Sequence, residues 1–255
     1  VRIAYTNYYD LAQYITPSST ATGYSILNTQ DERLTTIWKS DSATTQTIIV
    51  DLGAAYDITT FAVLGHNLVA TGTSVIGNST VGGAGTSAMT WITTGQSSAQ
   101  TITYNAGAMV KFVSPMTYQY WKFTFTGLTS PLQIGRLWVG TYLQVDPSSL
   151  LDFTVTYKND DVVVFGKGRQ KFATKGVTWR EFNFSFPESS HTMVSAIKTM
   201  YETVGNHGSV IFCNFDDLTD YALVLPCYCS IDGELAFQHS ERMRFKYGLK
   251  LLENR

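Results

Sequence analysis

Alternation of apolar and polar residues dominates this chain, and it predicts strands. In Tyr120-Trp121-Lys122-Phe123-Thr124-Phe125-Thr126 the period is two, which sets Trp121, Phe123 and Phe125 on one face and Lys122, Thr124 and Thr126 on the other. Runs rich in β-branched residues at 47–52 and 58–64 read as two strands, separated by a turn at Gly53-Ala54-Ala55-Tyr56-Asp57. Residues 100–104, 109–113 and 133–142 carry further strand patterns. With no helical stretch between them, these strands predict an antiparallel sandwich whose core takes Trp38, Trp121 and Trp138.

After residue 145 the pattern changes. Val145-Asp146-Pro147-Ser148-Ser149 reads as a linker, which divides the chain into domains at 1–145 and 146–255. Residues 153–157 and 162–165 flank Lys158-Asn159-Asp160-Asp161, a hairpin signal, and 179–186 (WREFNFSF) alternates strictly. One helix follows Pro187-Glu188-Ser189-Ser190. Met193, Val194, Ile197, Met200, Tyr201 and Val204 recur at helical intervals, Ser189 or Ser190 can cap the start, and Gly205 can end it. Strands at 210–215, 223–230, 234–239 and 243–252 complete a β domain with one packed helix. The fold class is therefore mainly β: an N-terminal antiparallel sandwich and a C-terminal β-sandwich or barrel carrying the helix.

Charge sharpens that division. Residues 1–146 hold six Lys/Arg and seven Asp/Glu, whereas the shorter 147–255 holds twelve and thirteen. Overall only 15% of residues are charged, against about 25% in a typical globular protein, while 44% are hydrophobic. A weakly charged surface suits a subunit covered by neighbours, because charge is costly to desolvate. The net charge of −2 argues against a specific nucleic-acid partner. The basic stretch Lys167, Arg169, Lys171 and Lys175 reads instead as a solvated hairpin or a subunit contact, with Lys167, Arg169 and Lys171 the candidate oligomer residues. No signal-peptide pattern or 18-residue apolar run appears, so no membrane insertion is expected.

Searching for chemistry excludes more than it finds. The cluster Gly82-Gly83-Ala84-Gly85 is followed by no Lys-Ser/Thr, so it is not a phosphate loop. Cys227 and Cys229 alternate onto one strand face, which is poor geometry for a mutual disulfide. With Cys213 they lack paired zinc-ligand spacing, so reduced thiols and no metal are expected. Asp216, Asp217 and Asp220 lack the glycine and terminal glutamate of a calcium loop. No G-x-S-x-G elbow accompanies the Ser, His and Asp residues, so no catalytic residue and no cofactor is assigned. Sugars can stack on aromatic rings beside polar side chains, which makes Tyr24, Arg33, His66 and Asn67 the candidate carbohydrate-binding residues.

Several motifs carry a family resemblance. The order Trp38-Lys39-Ser40, Ile49-Val50-Asp51-Leu52-Gly53, Ile58-Thr59-Thr60-Phe61, Tyr120-Trp121-Lys122-Phe123 and Ile134-Gly135-Arg136-Leu137-Trp138-Val139-Gly140 resembles a discoidin, or coagulation factor type C, domain over about residues 1–143. Gly65-His66-Asn67-Leu68, with Tyr24-Ser25-Ile26-Leu27-Asn28 upstream of Arg33 and Trp38, is similar to versions of this domain in tailed-phage structural proteins. In the second half, Gly166-Lys167-Gly168-Arg169, the 179–186 strand, the helix and the terminal Tyr247-Gly248-Leu249-Lys250-Leu251-Leu252-Glu253 resemble the tail-tube-like domain of phage distal-tail and baseplate proteins. The resemblance implies a galactose-binding-like jelly roll that binds sugars or proteins, and a non-enzymatic tail-tip or baseplate subunit. Its implied partners are copies of itself in a ring, neighbouring tail-tube, hub or fibre proteins, and host-surface glycans. Its implied place is the virion tail, assembled in the host cytoplasm. The alternative is a monomeric carbohydrate-binding module protein.

Overall fold

The computed structural model describes residues 1–70, 74–80, 91, 95–145, 152–165, 167, 169–206, 208–213, 226–240 and 244–254. The chain is mainly β and antiparallel, and it clusters into two compact units that are not contiguous in sequence. The larger comprises Arg2–Gln144 with Ile211–Tyr228, and the smaller comprises Val145–Val210 with Cys229–Asn254. The glycine cluster at 82–85, the linker at 146–149 and Asp216, Asp217 and Asp220 lie outside the described residues.

Nine strands open the larger unit: β1 (Arg2–Asn7), β2 (Tyr14–Pro17), β3 (Trp38–Lys39), β4 (Gln46–Leu64), β5 (Ser74–Thr80), β6 (Gln100–Ile102), β7 (Ala108–Thr126), β8 (Gln133–Ile134) and β9 (Arg136–Gln144). The later elements are β10 (Asp152–Asn159), β11 (Val162–Phe165), β12 (Lys171–Thr174), β13 (Thr178–Ser189), α1 (His191–Val204), β14 (Ser209–Cys213), β15 (Cys227–Ile231), β16 (Phe237–Ser240) and β17 (Arg244–Glu253).

The larger unit is a jelly-roll sandwich built around β4. Its first half pairs with β2 (Ile49↔Thr16) and its last part pairs with β9 (Ala62↔Trp138), while β7 runs alongside both. The turn expected at 53–57 is a bulge inside this one strand. Between Asp51↔Tyr120 and Tyr56↔Tyr118, β4 spends five residues where β7 spends two. Then, between Ile58↔Met116 and Thr60↔Phe112, β7 spends four where β4 spends two. For the same reason the expected strands 109–113 and 120–126 are parts of β7, with Pro115 at the irregularity, where its missing N–H leaves no ladder bond unmade. Asp51 fastens the bulge: its Oδ1 accepts from the Gly53 amide and the Gln119 side-chain amide, both at 2.8 Å, and Gly53 takes φ +77°. The expected strand 133–142 is likewise divided at Gly135 into β8 and β9, because Gly135 lies against the Leu34 backbone, and a Cβ there would meet the Leu34 carbonyl oxygen at 2.5 Å.

Side chains from both layers fill the core. Trp38, Phe61, Trp121, Phe123 and Phe125 are fully buried there, and the Phe61 ring lies 4.9 Å from that of Trp121. Trp138 packs in a second cluster on the other face of the sheet, with Ala62, Leu64 and Val110. Lys122, Thr124 and Thr126 point away, as the alternation predicts.

The smaller unit is an antiparallel sheet in the order β10-β13-β17-β15, with β16 also pairing β17. Alternate residues Phe182, Phe184 and Phe186 of β13 are buried, with Phe186 stacked on Tyr247 at 4.5 Å. The helix α1 starts and stops where the capping residues predict. Ser190 Oγ accepts from the Met193 amide, and Gly205 closes the end with φ +60°. Ile197 and Met200 are its buried positions. The hairpin expected between 153–157 and 162–165 does not form. Instead β10 pairs with β13, and β11 pairs with β12 in a separate two-stranded sheet. Asp160 and Asp161 are the reason, because their carboxylates accept from the Val177 and Gly176 amides and close the base of the β11–β12 hairpin.

Gly140 offers a test of the sandwich. A Cβ there would fall on the Thr6 carbonyl and 2.7 Å from Trp138 Nε1. Gly140→Ala should destabilise the chain by about 1–3 kcal/mol in urea unfolding through overpacking of β1 against β9; unchanged stability would show that the close approach carries no constraint.

Candidate functional site

The Gly65-His66-Asn67-Leu68 segment leaves β4 at one end of the sandwich, where it meets the 128–133 loop before β8. Asn67 stitches the two together. Its Nδ2 donates to the Pro131 carbonyl at 2.9 Å and Ser130 Oγ at 3.2 Å, and its Oδ1 accepts from the Gln133 amide at 2.8 Å. Ser40 does the same from β3, accepting from the Leu132 amide at 2.8 Å. Asn67, Leu68, Val69, Leu128, Thr129 and Ser130 line a shallow notch there.

His66 is fixed by hydrogen bonds to both ring nitrogens. Nδ1 accepts from the Leu68 amide at 3.2 Å, so Nε2 carries the proton and donates to the Asn105 carbonyl at 3.0 Å. Burial lowers its pKa, against the opposing effect of the Asn105 carbonyl. The ring is neutral and both nitrogens are occupied, which suits it to holding the 105 loop rather than to moving protons.

The other two sugar candidates stand differently. Tyr24 is 39% exposed, with Lys39 Nζ 5.7 Å from its ring centroid. The side chain of Arg33 is 76% exposed and grips Asp31 in a fork, Nη2 to Oδ2 at 2.6 Å and Nε to Oδ1 at 3.0 Å. That fork holds the Asp31 carboxyl well below the usual carboxylate range. Tyr24, Arg33, His66 and Asn67 are thus each held by separate partners: His66 and Asn67 are built into the loops, whereas Tyr24 and Arg33 face solvent. The candidate oligomer residues Lys167, Arg169 and Lys171 are all exposed on the β11–β12 hairpin, with Arg169 at φ +62°.

One polar cluster, built around a buried arginine and an aspartate whose side chain is 32% exposed, escaped sequence reasoning. Arg136 is 2% exposed, and its Nη2 donates to Asp10 Oδ2 at 2.7 Å while Nη1 donates to the Gln30 carbonyl at 2.8 Å. Its guanidinium lies 5.8 Å from the Trp138 ring and 6.0 Å from that of Tyr228. Asn7 completes the cluster, donating to Asp10 Oδ1 and to the Leu137 carbonyl while accepting from the Val139 amide. Beside it Tyr9, fully buried, shares a 2.6 Å hydrogen bond with Thr29. The available signal was a lone arginine inside an otherwise apolar strand. Burial pushes the Asp10 carboxyl up to about 6, against the opposing pulls of Arg136 and the Asn7 amide.

No protein-family model and no curated protein matches the chain. Among solved structures it is similar to a chitosan-binding module of a chitosanase/glucanase from Paenibacillus sp. IK-5, with 18% identity and a TM-score of 0.41 over 53% of this chain and 99% of that one. It is also similar to a family 32 CBM from C. perfringens NanJ solved with galactose, at 20% identity and a TM-score of 0.40 over 56% of this chain and 100% of that one. A Streptococcus pneumoniae fucose binding module is similar at 10% identity, with a TM-score of 0.42 over 53% of this chain and 94% of that one.

The Asp10 cluster makes a pH prediction. A carboxyl whose folded pKa is raised contributes stability that is fully present below about pH 4 and is lost as pH rises through about 6. His66 acts in the opposite sense, but it is common to wild type and Asp10→Asn and cancels in their difference. Urea unfolding of both proteins should therefore show wild type gaining on Asp10→Asn as pH falls from about 7 to about 4.5. A difference that does not move with pH would refute the raised pKa.

Proposed function

We propose that this chain is a non-enzymatic structural subunit of a tailed-phage tail tip or baseplate. In this reading the smaller unit makes a ring with copies of itself, and the larger unit serves contacts with tail-tube, hub or fibre proteins or adhesion to host-surface glycans. The observation that carries it is the surface of the smaller unit. Tyr157, Val162, Val163, Val164, Phe165, Phe172 and Val177 are all exposed large hydrophobics within one short stretch of chain. A monomeric soluble protein seldom leaves so many apolar side chains in water together, so the stretch reads as an assembly surface. The tail-protein resemblance of both halves supplies the kind of assembly, and the virion tail as its place.

Glycan adhesion draws its support from a different observation. Tyr24 presents an aromatic ring at the surface beside Lys39, a stacking face next to a charged donor, and Arg33, forked to Asp31, leaves its side chain mostly in solvent. The carbohydrate-binding monomer remains the competing reading.

Two measurements separate these. Light scattering on the intact chain should give a closed oligomer of more than two copies; a monomer at tens of micromolar would remove ring formation and put the carbohydrate-binding monomer first. On a glycan array the intact chain should bind a subset of sugars, and Tyr24→Ala should weaken that signal at least tenfold with an unchanged circular dichroism spectrum. Equal signals from the two proteins would exclude Tyr24 from the site.

A further inference from the structure

The β11–β12 hairpin is a separate two-stranded sheet. Its register pairs Val162 with Thr174, Val163 with Ala173, Val164 with Phe172 and Phe165 with Lys171. Side chains alternate across a strand, so Val162, Val164 and Phe172 share one face and Val163, Phe165 and Ala173 the other. Both faces are open to solvent: Val162 is 58% exposed, Phe172 59% and Phe165 67%. An isolated two-stranded hairpin is at best marginally stable in water, and this one has no third strand among the described residues.

Its two outer edges differ. Lys171 sits on β12, and an edge lysine is a common guard against pairing with another strand. The four residues of β11 are Val-Val-Val-Phe, with high strand propensity and no charge or proline to block an incoming strand. The ends of the hairpin also differ in charge. Lys167, Arg169 and Lys171 lie at its tip, while Asp160 and Asp161 lie at its base with Lys175.

We propose that β11 pairs antiparallel with β11 of a second copy about a two-fold axis, joining two hairpins into one four-stranded sheet. The assignment rests on the assembly reading above and names the contact within it. An antiparallel arrangement centred on Val164, so that this residue faces its own copy, sets Asp161 of each copy opposite Lys167 of the other, with Asp160 next along the strand. The excess positive charge of one tip then meets the negative base of its partner, twice, because a two-fold contact repeats every interaction. A parallel arrangement would set tip against tip and base against base. Since a two-fold contact closes on itself, it makes pairs, and a ring needs a second, head-to-tail surface.

Reversing the charges tests this on the intact chain. Lys167→Glu with Arg169→Glu and Lys171→Glu should weaken self-association at least tenfold by light scattering across a dilution series, and so should Asp160→Lys with Asp161→Lys. Mixing these two proteins should restore association, because each reversed tip then meets a reversed base. Val164→Lys, which leaves the hydrogen bonds at the hairpin base alone, should also dissociate the pair. Variants that assemble like wild type would overturn the pairing and leave the assembly reading standing. A wild type that stops at dimers, dissociated by the same variants, would keep the pairing and sink the ring. Monomeric wild type would overturn both.

Discussion

The larger unit depends on one strand serving two neighbours. β4 pairs with β2 at its start and with β9 at its end, and the residues between Asp51 and Tyr56 take up the change of direction. Sandwich corners need a strand that bends without breaking its ladder, and bulges supply the bend. A bulge on one strand alone would throw later residues out of register with the core. Here the extra residues on β4 are followed by extra residues on β7, so the shift is largely taken back and Phe61 stays buried against Trp121 and Phe123. Asp51, buried and bonded to Gly53 and Gln119, fixes where the bend falls.

Polar side chains elsewhere in the unit act in the same way. Asn67, His66 and Ser40 satisfy backbone groups of the loops at 105 and 128–133, and Asn7 bonds the Leu137 carbonyl and Val139 amide of β9. Arg136 reaches across from β9 to the short turn at Tyr8–Leu11 and to the one at Ile26–Gln30 through Asp10 and the Gln30 carbonyl. Removing Asp10 strands the buried Arg136 guanidinium, whose Asp10 partner is a third exposed, which makes the pair a strong specifier of loop position whatever its net stabilisation. These side chains are consumed by architecture. Of the four sugar candidates, Tyr24 and Arg33 face solvent, whereas the histidine and asparagine of the 65–68 segment are engaged with the loops.

The smaller unit divides its apolar residues differently. Phe182, Phe184 and Phe186 of β13 are buried, with Phe186 stacked on Tyr247 and Phe184 on Phe186, while the valines and phenylalanines of β11 and β12 are left in solvent. The two sets share composition and strand propensity, yet only one has a sheet to pack in. That contrast lies in packing alone: among the described residues no sheet face covers the apolar side chains of the hairpin.

Local chemistry alone settled much of this protein. The period-two burial of Trp121, Phe123 and Phe125, the Ser190 and Gly205 caps of α1, and the mainly antiparallel β class all follow from interactions within a few residues, and they are legible in the sequence. Pairing is not. Gly53 at φ +77° suits a hairpin turn or a bulge equally, and only the presence of β7, β2 and β9 on either side of β4 selects the bulge. Likewise Asp160 and Asp161 read as the turn of one hairpin, whereas the amides of Gly176 and Val177, some fifteen residues on, make them the base of another. The place of Ile211–Tyr228 in the larger unit, where Ile211 and Phe212 pair with Ala4 and Ile3, joins strands some two hundred residues apart. Side-chain alternation tells a strand which face to bury; which strand lies beside it is decided by backbone hydrogen bonds that carry no residue identity, and so only by the assembled fold.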